Sequence, residues 1–326
     1  MVVMVFLDAI SHKKEGYFIK AKTLDPIGRD ISSCYYVCND IAFIELAKVS
    51  GLSLLKEEER NPLKTNTYGL GILIKDAIDQ GIKKICIGIG GSATHDVGTG
   101  MLQALGVKFY YQGKLIEDIM NGSMLNKITS FDLNAFKDLI KYVTFDVVTD
   151  VSNPLLGESG AAHIYAAQKG ASKTDVEVLE NGTKQFADLS ETYFKADYRF
   201  YKGSGAAGGI GFCLALFMHA NLFLGIDHMI DVLEIETYVK HADLVIVGEG
   251  KLDAQTAFGK APFGIAKLAR KHQKKVIGLF ATMDTNINVD YLDEVHVIVG
   301  QYVSESDSMN HPKEALRKAI QYIFTK

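Results

Sequence analysis

The chain has 326 residues, 48% of them apolar, with 35 basic and 39 acidic side chains and a net charge of −4. That length and apolar content allow a large core divided between two domains, and the slight acidity gives no electrostatic footprint for nucleic acid. No run approaches the roughly eighteen apolar residues of a membrane span, and four scattered cysteines without a Cys-x-x-Cys pair suit a reduced, cytoplasmic protein.

Met1–Ile10 is apolar and opens abruptly, but it lacks the basic region and small-residue cleavage site of a signal peptide. Residues 15–45 alternate short apolar runs with turns, the pattern of antiparallel hairpins. Leu70, Leu73, Ile74, Ala77 and Ile78 recur at helical spacing, and Gly81 stops that helix. A strand over 83–89 runs into a glycine turn, Gly88-Ile89-Gly90-Gly91-Ser92-Ala93-Thr94-His95-Asp96, and then a helix through Met101, Leu102 and Leu105. Residues 143–148 read as a strand leading to Asp150, residues 174–190 as a helix capped by Thr174, and Gly203–Gly209 as the lead into an apolar helix through Leu214 and Phe217. The character changes near residue 225. Beyond it come a strand (243–247), a second glycine turn, a helix (261–271), strands at 275–280 and 294–299, and a helix (312–324), the order of parallel βαβ units.

Glycine lets backbone amides approach an anion, and a helix beginning after such a turn directs its N–H groups the same way. In the first turn this nominates the Gly90, Gly91, Ser92 and Thr94 region. Asp96 is there either as a proton acceptor or as a cap for the helix beginning near Val97. The second turn reads Gly248-Glu249-Gly250-Lys251-Leu252-Asp253-Ala254-Gln255-Thr256. Alternation places Glu249, Lys251, Asp253 and Gln255 on one side, where lysine neutralises phosphate and carboxylates hold Mg²⁺; the plain alternative is a solvated loop. Asp150, before Asn153-Pro154, is a strand-end acid suited to general-base work or a routine turn former. Gln168-Lys169-Gly170 reads as a helix C-cap with a basic last turn. Glu45 is either an edge-facing charge or a buried site acid. Gly88–Ala93 fits the dinucleotide fingerprint only superficially, because no acidic residue ends the next strand, and a P-loop is absent. Nine histidines lack ligand-like spacing, so structural zinc is not expected.

Taken together, these segments resemble the bacterial type 1 glycerate kinases. The resemblance is carried by Asn61-Pro62-Leu63 with Thr67-Tyr68-Gly69, the Gly88–Asp96 turn, Asp150-Val151-Ser152-Asn153-Pro154-Leu155 and Gln168-Lys169-Gly170-Ala171. It continues through Gly205-Ala206-Ala207-Gly208-Gly209, the Gly248–Thr256 segment and Gly259-Lys260-Ala261-Pro262. It implies ATP-dependent phosphorylation of D-glycerate to a phosphoglycerate with Mg²⁺. It also implies an α/β fold of two domains: a flavodoxin-like parallel α/β domain, incomplete here, and a restriction-endonuclease-like mixed α/β domain, with the active site between them. On that reading residues 1–225 are mostly the inserted domain, and 226–326 are the C-terminal part of the flavodoxin-like one.

The departures are His95 where the family has asparagine, Val97 for glycine, Ser152 for aspartate and Lys251 for arginine. A larger one is that the chain opens within the helix that follows two of the family's N-terminal loops, so a βαβ piece is expected to be missing. The implied roles assign phosphate and substrate binding to Gly90, Gly91, Ser92, Thr94, Gly248, Gly250, Gln255 and Thr256. Lys251 neutralises phosphate, Glu249 and Asp253 hold Mg²⁺, and Asp96 or Asp150 accepts the hydroxyl proton. The expected partners are small molecules, with no nucleic acid or membrane, in a monomer or homodimer. Two other readings stay open: a catalytically impaired, ligand-binding remnant of such a kinase, and an NAD-dependent oxidoreductase built on Gly88–Ala93.

Overall fold

The computed structural model describes residues 6–253, 261–285 and 287–325. The chain divides after Leu224 into two compact units. The first opens with a helix, Phe6–Lys13, and three strands, β1 (Tyr17–Leu24), β2 (Asp30–Cys38) and β3 (Ile41–Glu45), then β4 (Lys84–Gly88). A small antiparallel sheet follows, formed by β5 (Lys108–Tyr111), β6 (Lys114–Leu115) and β7 (Ser130–Asp132). Strands β8 (Thr144–Thr149) and β9 (Asn221–Leu224) complete the main sheet, whose order is β1-β2-β3-β4-β8-β9.

The antiparallel reading of residues 15–45 holds: Tyr17 pairs with Val37, and Tyr36 pairs with Phe43. From β3 onward the pairing turns parallel, with Ile41 opposite Lys84, Lys84 opposite Thr144 and Asp146 opposite Asn221. Parallel strands covered on both faces need continuous apolar runs, and Ile85, Ile87, Phe145 and Val147 are buried accordingly. Because β4 and β8 run side by side, the loops leaving Gly88 and Thr149 open at the same sheet edge, where α/β folds place ligands.

The helix Tyr68–Asp79 turns Leu70, Leu73, Ile74 and Ala77 into the core. Each fully buried Leu or Ile adds about 2 kcal/mol of transfer free energy. Gly71 lets this helix lie against Thr99–Ala104, since a Cβ there would stand 2.5 Å from the Met101 carbonyl. The long helix runs Lys173–Phe194, and its cap is Ser172, not Thr174. Ser172 accepts from the Asp175 N–H while Asp175 accepts from the Ser172 N–H, a reciprocal capping box that starts the helix two residues before Thr174.

The second unit is a parallel sheet of β10 (Leu244–Leu252), β11 (Lys275–Met283) and β12 (Glu294–Val297), in that order. Helix Ala261–Lys271 packs Phe263, Ala266 and Ala269 against Val245 and Val247, and helix Pro312–Phe324 joins Ala315 and Ala319 to Ile298. One expectation is corrected here. Gly248–Leu252 is not a turn but the continuation of β10, with Gly248 opposite Leu279 and Lys251 opposite Thr282. Gly248 sits where β11 comes close: a Cβ would fall 2.5 Å from the Leu279 carbonyl oxygen. Among the described residues no helix is long and apolar enough to cross a membrane.

Candidate active site

At the shared edge of β4 and β8 lies a cavity of about 220 Å³ bordered by Gly90, Gly91, Ser92, Asp150, Tyr165 and Lys169. Its floor is the first glycine turn. Gly91 takes φ +70°, a left-handed conformation that glycine adopts without steric cost. The turn is pinned from one side by Leu52 N–H donating to the Gly91 carbonyl (3.0 Å) and Ala93 N–H donating to the Ser50 carbonyl (2.9 Å). Inside it, Thr94 N–H donates to Ser92 Oγ at 3.0 Å. The Ala93 and Thr94 amides are therefore consumed. Among the described residues those of Gly90, Gly91 and Ser92 meet no protein acceptor, leaving three donors at the cavity wall. Thr94 itself is fully buried and serves the turn from behind.

Asp96 is corrected as a candidate base. It is fully buried, and its carboxylate accepts from Thr67 N–H (2.9 Å), Thr67 Oγ1 (2.7 Å), Gly98 N–H (3.2 Å) and Gly100 N–H (3.1 Å). It thereby ties the start of helix Tyr68–Asp79 to the start of helix Thr99–Ala104, the capping alternative extended to two helices. Burial outweighs these donors and raises its pKa. The helix also begins at Thr99, not beside the turn, so the glycine run lacks the immediate helix that a dinucleotide site requires.

Asp150 stands exposed at the end of β8 and borders the cavity, the position a general base needs. Sequence reasoning missed two of its neighbours. Tyr165, whose hydroxyl donates to Asn153 Oδ1 at 2.6 Å, is one. The other is Lys169. The Gln168-Lys169-Gly170 segment does end a helical turn, with Gly170 at φ +96°, but the side chain is 2% exposed and turns inward. The signal was spacing: Ala162, Ala166 and Lys169 recur at helical intervals, and the two alanines are fully buried. Lys169 Nζ donates to the Thr94 carbonyl at 2.7 Å, and burial lowers its pKa to about 7. His95 is also fully buried, with Nε2 3.1 Å from Thr183 Oγ1. Burial first, and then the nearby Lys169 charge, hold its pKa down to about 3, so its ring is neutral.

Glu45 proves to be a buried acid, 3% exposed, accepting a long bond (3.4 Å) from Leu7 N–H in the first turn of helix Phe6–Lys13. Desolvation pushes its carboxyl up to about 7. It borders a different cavity, of about 480 Å³, together with Lys20 and Lys48.

In the second unit, Glu249 and Lys251 lie on β10 and Asp253 just past its end. Lys251 Nζ pairs with Asp284 at 2.8 Å, and that bond, with Asp253 adding to it, raises its pKa. Gly248, Glu249 and Gly250 border an apolar groove of about 790 Å³ in the same unit. Gln255 and Thr256 lie outside the described residues. Among the described residues no three His, Cys, Asp or Glu side chains gather as a metal site.

The model of the glycerate kinase family matches residues 6–326. The chain is 36% identical to a glycerate kinase of Bacillus subtilis (strain 168), over 94% of this chain and 82% of that protein. It is 38% identical to a glycerate 2-kinase of Escherichia coli (strain K12), over 87% of this chain and 74% of that one. A crystal structure described as a glycerate kinase 2 from Salmonella typhimurium LT2 superposes with a TM-score of 0.81 at 35% identity, covering 97% of this chain and 84% of that one.

Proposed function

Because the chain belongs to the glycerate kinase family, we propose that it transfers the γ-phosphoryl group of ATP to D-glycerate, bound in the cavity at the ends of β4 and β8. The observation that carries this reading is the composition of that cavity. Three unengaged amides, a buried ammonium and a strand-end carboxylate border a volume of about 220 Å³. At about 30 Å³ per water this is room for roughly seven waters, ample for a three-carbon hydroxy acid.

In the proposed reaction Asp150 accepts the proton of the attacking hydroxyl, and the Gly90–Ser92 amides hold substrate oxygens. Positioning and charge neutralisation supply most of the rate in phosphoryl transfer. The name of the E. coli relative directs the phosphoryl group to the 2-hydroxyl, and we adopt that acceptor here. In the second unit, Glu249 and Asp253 would hold Mg²⁺. Two carboxylates completed by phosphate oxygens and waters suit that ion, which seldom uses an all-protein cage. When bound, the ion neutralises charge on the phosphates. Lys251, Gly248 and Gly250, with Gln255 and Thr256, complete the proposed phosphate-binding set. Lysine where the family has arginine keeps the charge but gives up bidentate geometry.

The same reading makes the chain an enzyme of the bacterial type 1 kind. The first unit is then mostly the restriction-endonuclease-like domain, and the second is part of the flavodoxin-like one. Its setting is cytoplasmic, in keeping with four free cysteines. The test is D-glycerate-dependent ADP release by the purified, folded chain with Mg-ATP. Robust release is expected. No release from a folded chain that still shows a glycerate-induced thermal shift would replace the enzyme with a binding remnant.

A further inference from the structure

We propose that Lys169 recognises the carboxylate of the acceptor substrate, its ammonium holding the acid end of a short hydroxy acid against the Gly90–Ser92 amides. The proposal rests on the glycerate kinase reading and names the residue that makes its pocket select an acid over a neutral polyol.

A buried ammonium is costly unless it is paired, and cores rarely keep one without a partner. Lys169 is 2% exposed, and among the described residues its hydrogen-bond partner is one neutral carbonyl, that of Thr94 at 2.7 Å. An ammonium has three donors, so two remain, and the side chain borders the cavity. The backbone around it is closely packed. Gly170, at φ +96°, packs so closely on Arg60 that a Cβ would lie 2.2 Å from its carbonyl oxygen. The Thr94 carbonyl is held from its other side by Gly208, where a Cβ would come within 2.2 Å of the same oxygen.

The ligand class follows from charge and size. The buried Asp96 carboxylate behind the turn acts on Lys169 as well, but the two remaining N–H donors and the three unengaged amides call for the oxygens of a small anion, and about 220 Å³ is too small for a nucleoside triphosphate. With the carboxylate at Lys169, the hydroxyl end of the acid is left for Asp150, which borders the same cavity.

A second consequence is proton uptake. Burial holds Lys169 at about 7, so at pH 8 the ligand-free site is mostly neutral, and binding a carboxylate draws a proton from solvent. The groups facing Lys169 are His95 and Asp96 behind the turn, Asp150 and Tyr165 across the cavity, and Arg60 beside Gly170. Burial keeps His95 (about 3) and Tyr165 (raised) neutral between pH 6 and 9. Glycerate affinity should therefore be level below pH ~7 and fall by up to about tenfold per pH unit above it.

The experiment compares the full wild-type chain with Lys169→Met by thermal shift, titrating D-glycerate, glycerol, inorganic phosphate and Mg-ADP separately. Glycerate should shift the wild type, and its Kd should rise about 10- to 100-fold in the variant, as expected for a lost charge-assisted contact. The Mg-ADP shift should be the same in both. In turnover, KM for glycerate should rise far more than kcat falls. Equal glycerate affinity in the two proteins overturns the proposal while leaving the kinase reading in place. A wild type that ignores glycerate overturns both. A phosphate shift as strong as the glycerate shift and lost in Lys169→Met makes this a phosphate subsite and overturns the carboxylate assignment. Should Lys169→Met fail to fold, the wild-type pH profile decides, since a level glycerate affinity from pH 6 to 9 refutes the role.

Discussion

Replacing Asp96 separates a structural carboxylate from a catalytic one. In Asp96→Ala the Thr67 hydroxyl can rotate to another acceptor, but the N–H groups of Thr67, Gly98 and Gly100 are fixed by the backbone and left buried. Each orphaned donor costs about 1–3 kcal/mol. The two longer bonds belong at the low end, and removing a buried charge returns some free energy, so a total of about 4 kcal/mol is expected. For a unit of this size that corresponds to a melting temperature lower by about 8–16 °C. The chain contains no tryptophan, so far-ultraviolet circular dichroism is the suitable probe. Asp96→Asn is the sharper variant. Its carbonyl can serve the three donors now on Oδ2, but its amide then confronts the Gly98 N–H, at a cost of about 1–2 kcal/mol. Below its melting transition this variant should release ADP at close to the wild-type rate, because Asp96 does not border the cavity. An Asn variant as stable as wild type whose turnover has fallen by orders of magnitude would refute the structural reading and return Asp96 to the chemistry.

Asp150→Asn should lower kcat by about 10²- to 10⁴-fold in a chain that remains folded; full activity would exclude Asp150 as the base. Asp253→Ala should reduce turnover by roughly 10²-fold or more and raise the Mg²⁺ concentration needed for half-maximal rate; near-normal turnover removes Asp253 from the site. Glu45 carries the pH prediction. Its folded-state pKa is raised to about 7 from 4.5, so its stabilising contribution is fully present below pH ~4.5 and lost as pH rises through 7. The melting temperature of Glu45→Gln minus that of wild type should increase between pH 4.5 and pH 8; a difference that stays constant or decreases would contradict the assignment.

Much of the fold was legible because its signals are local. Alternation marked the β1–β3 meander, apolar runs marked the parallel strands, and glycines ended helices where φ is positive, as at Gly81 and Gly106. The misreadings arose where a local signal had two outlets. Ser172 and Thr174 both suit a cap and each has an acid three residues on, Asp175 and Glu177, so the local pattern fits both and the fold uses Ser172. The Gly248–Gly250 run carries the residues of a turn, yet it lies inside a strand, Leu244–Leu252, that eight register pairs hold against β11. Gly248 answers a close approach between strands and not a change of direction.

The site was legible in its materials but not in their assignment. Sequence ranks acids and amides by type and setting, which brought Asp96 and Asp150 forward as equals and treated the amides from Gly90 to Thr94 as one group. What separates them is which groups the fold has already engaged. Asp96 faces four internal donors, and the Ala93 and Thr94 amides face internal acceptors. The Asp96 bonds to Gly98 and Gly100 are local, but those to Thr67 and the Ala93 bond to Ser50 span about thirty residues or more, beyond the reach of any short motif. Lys169 shows the same gap from the other side. Its backbone obeys the C-cap reading, while its side chain lies on the stripe of Ala162 and Ala166, where a cation is retained only at a cost in stability. A charge kept at that cost, with Asp96 behind it and unengaged amides and a strand-end acid beside it, belongs on the proposed reading to the cavity it borders and not to the helix it ends.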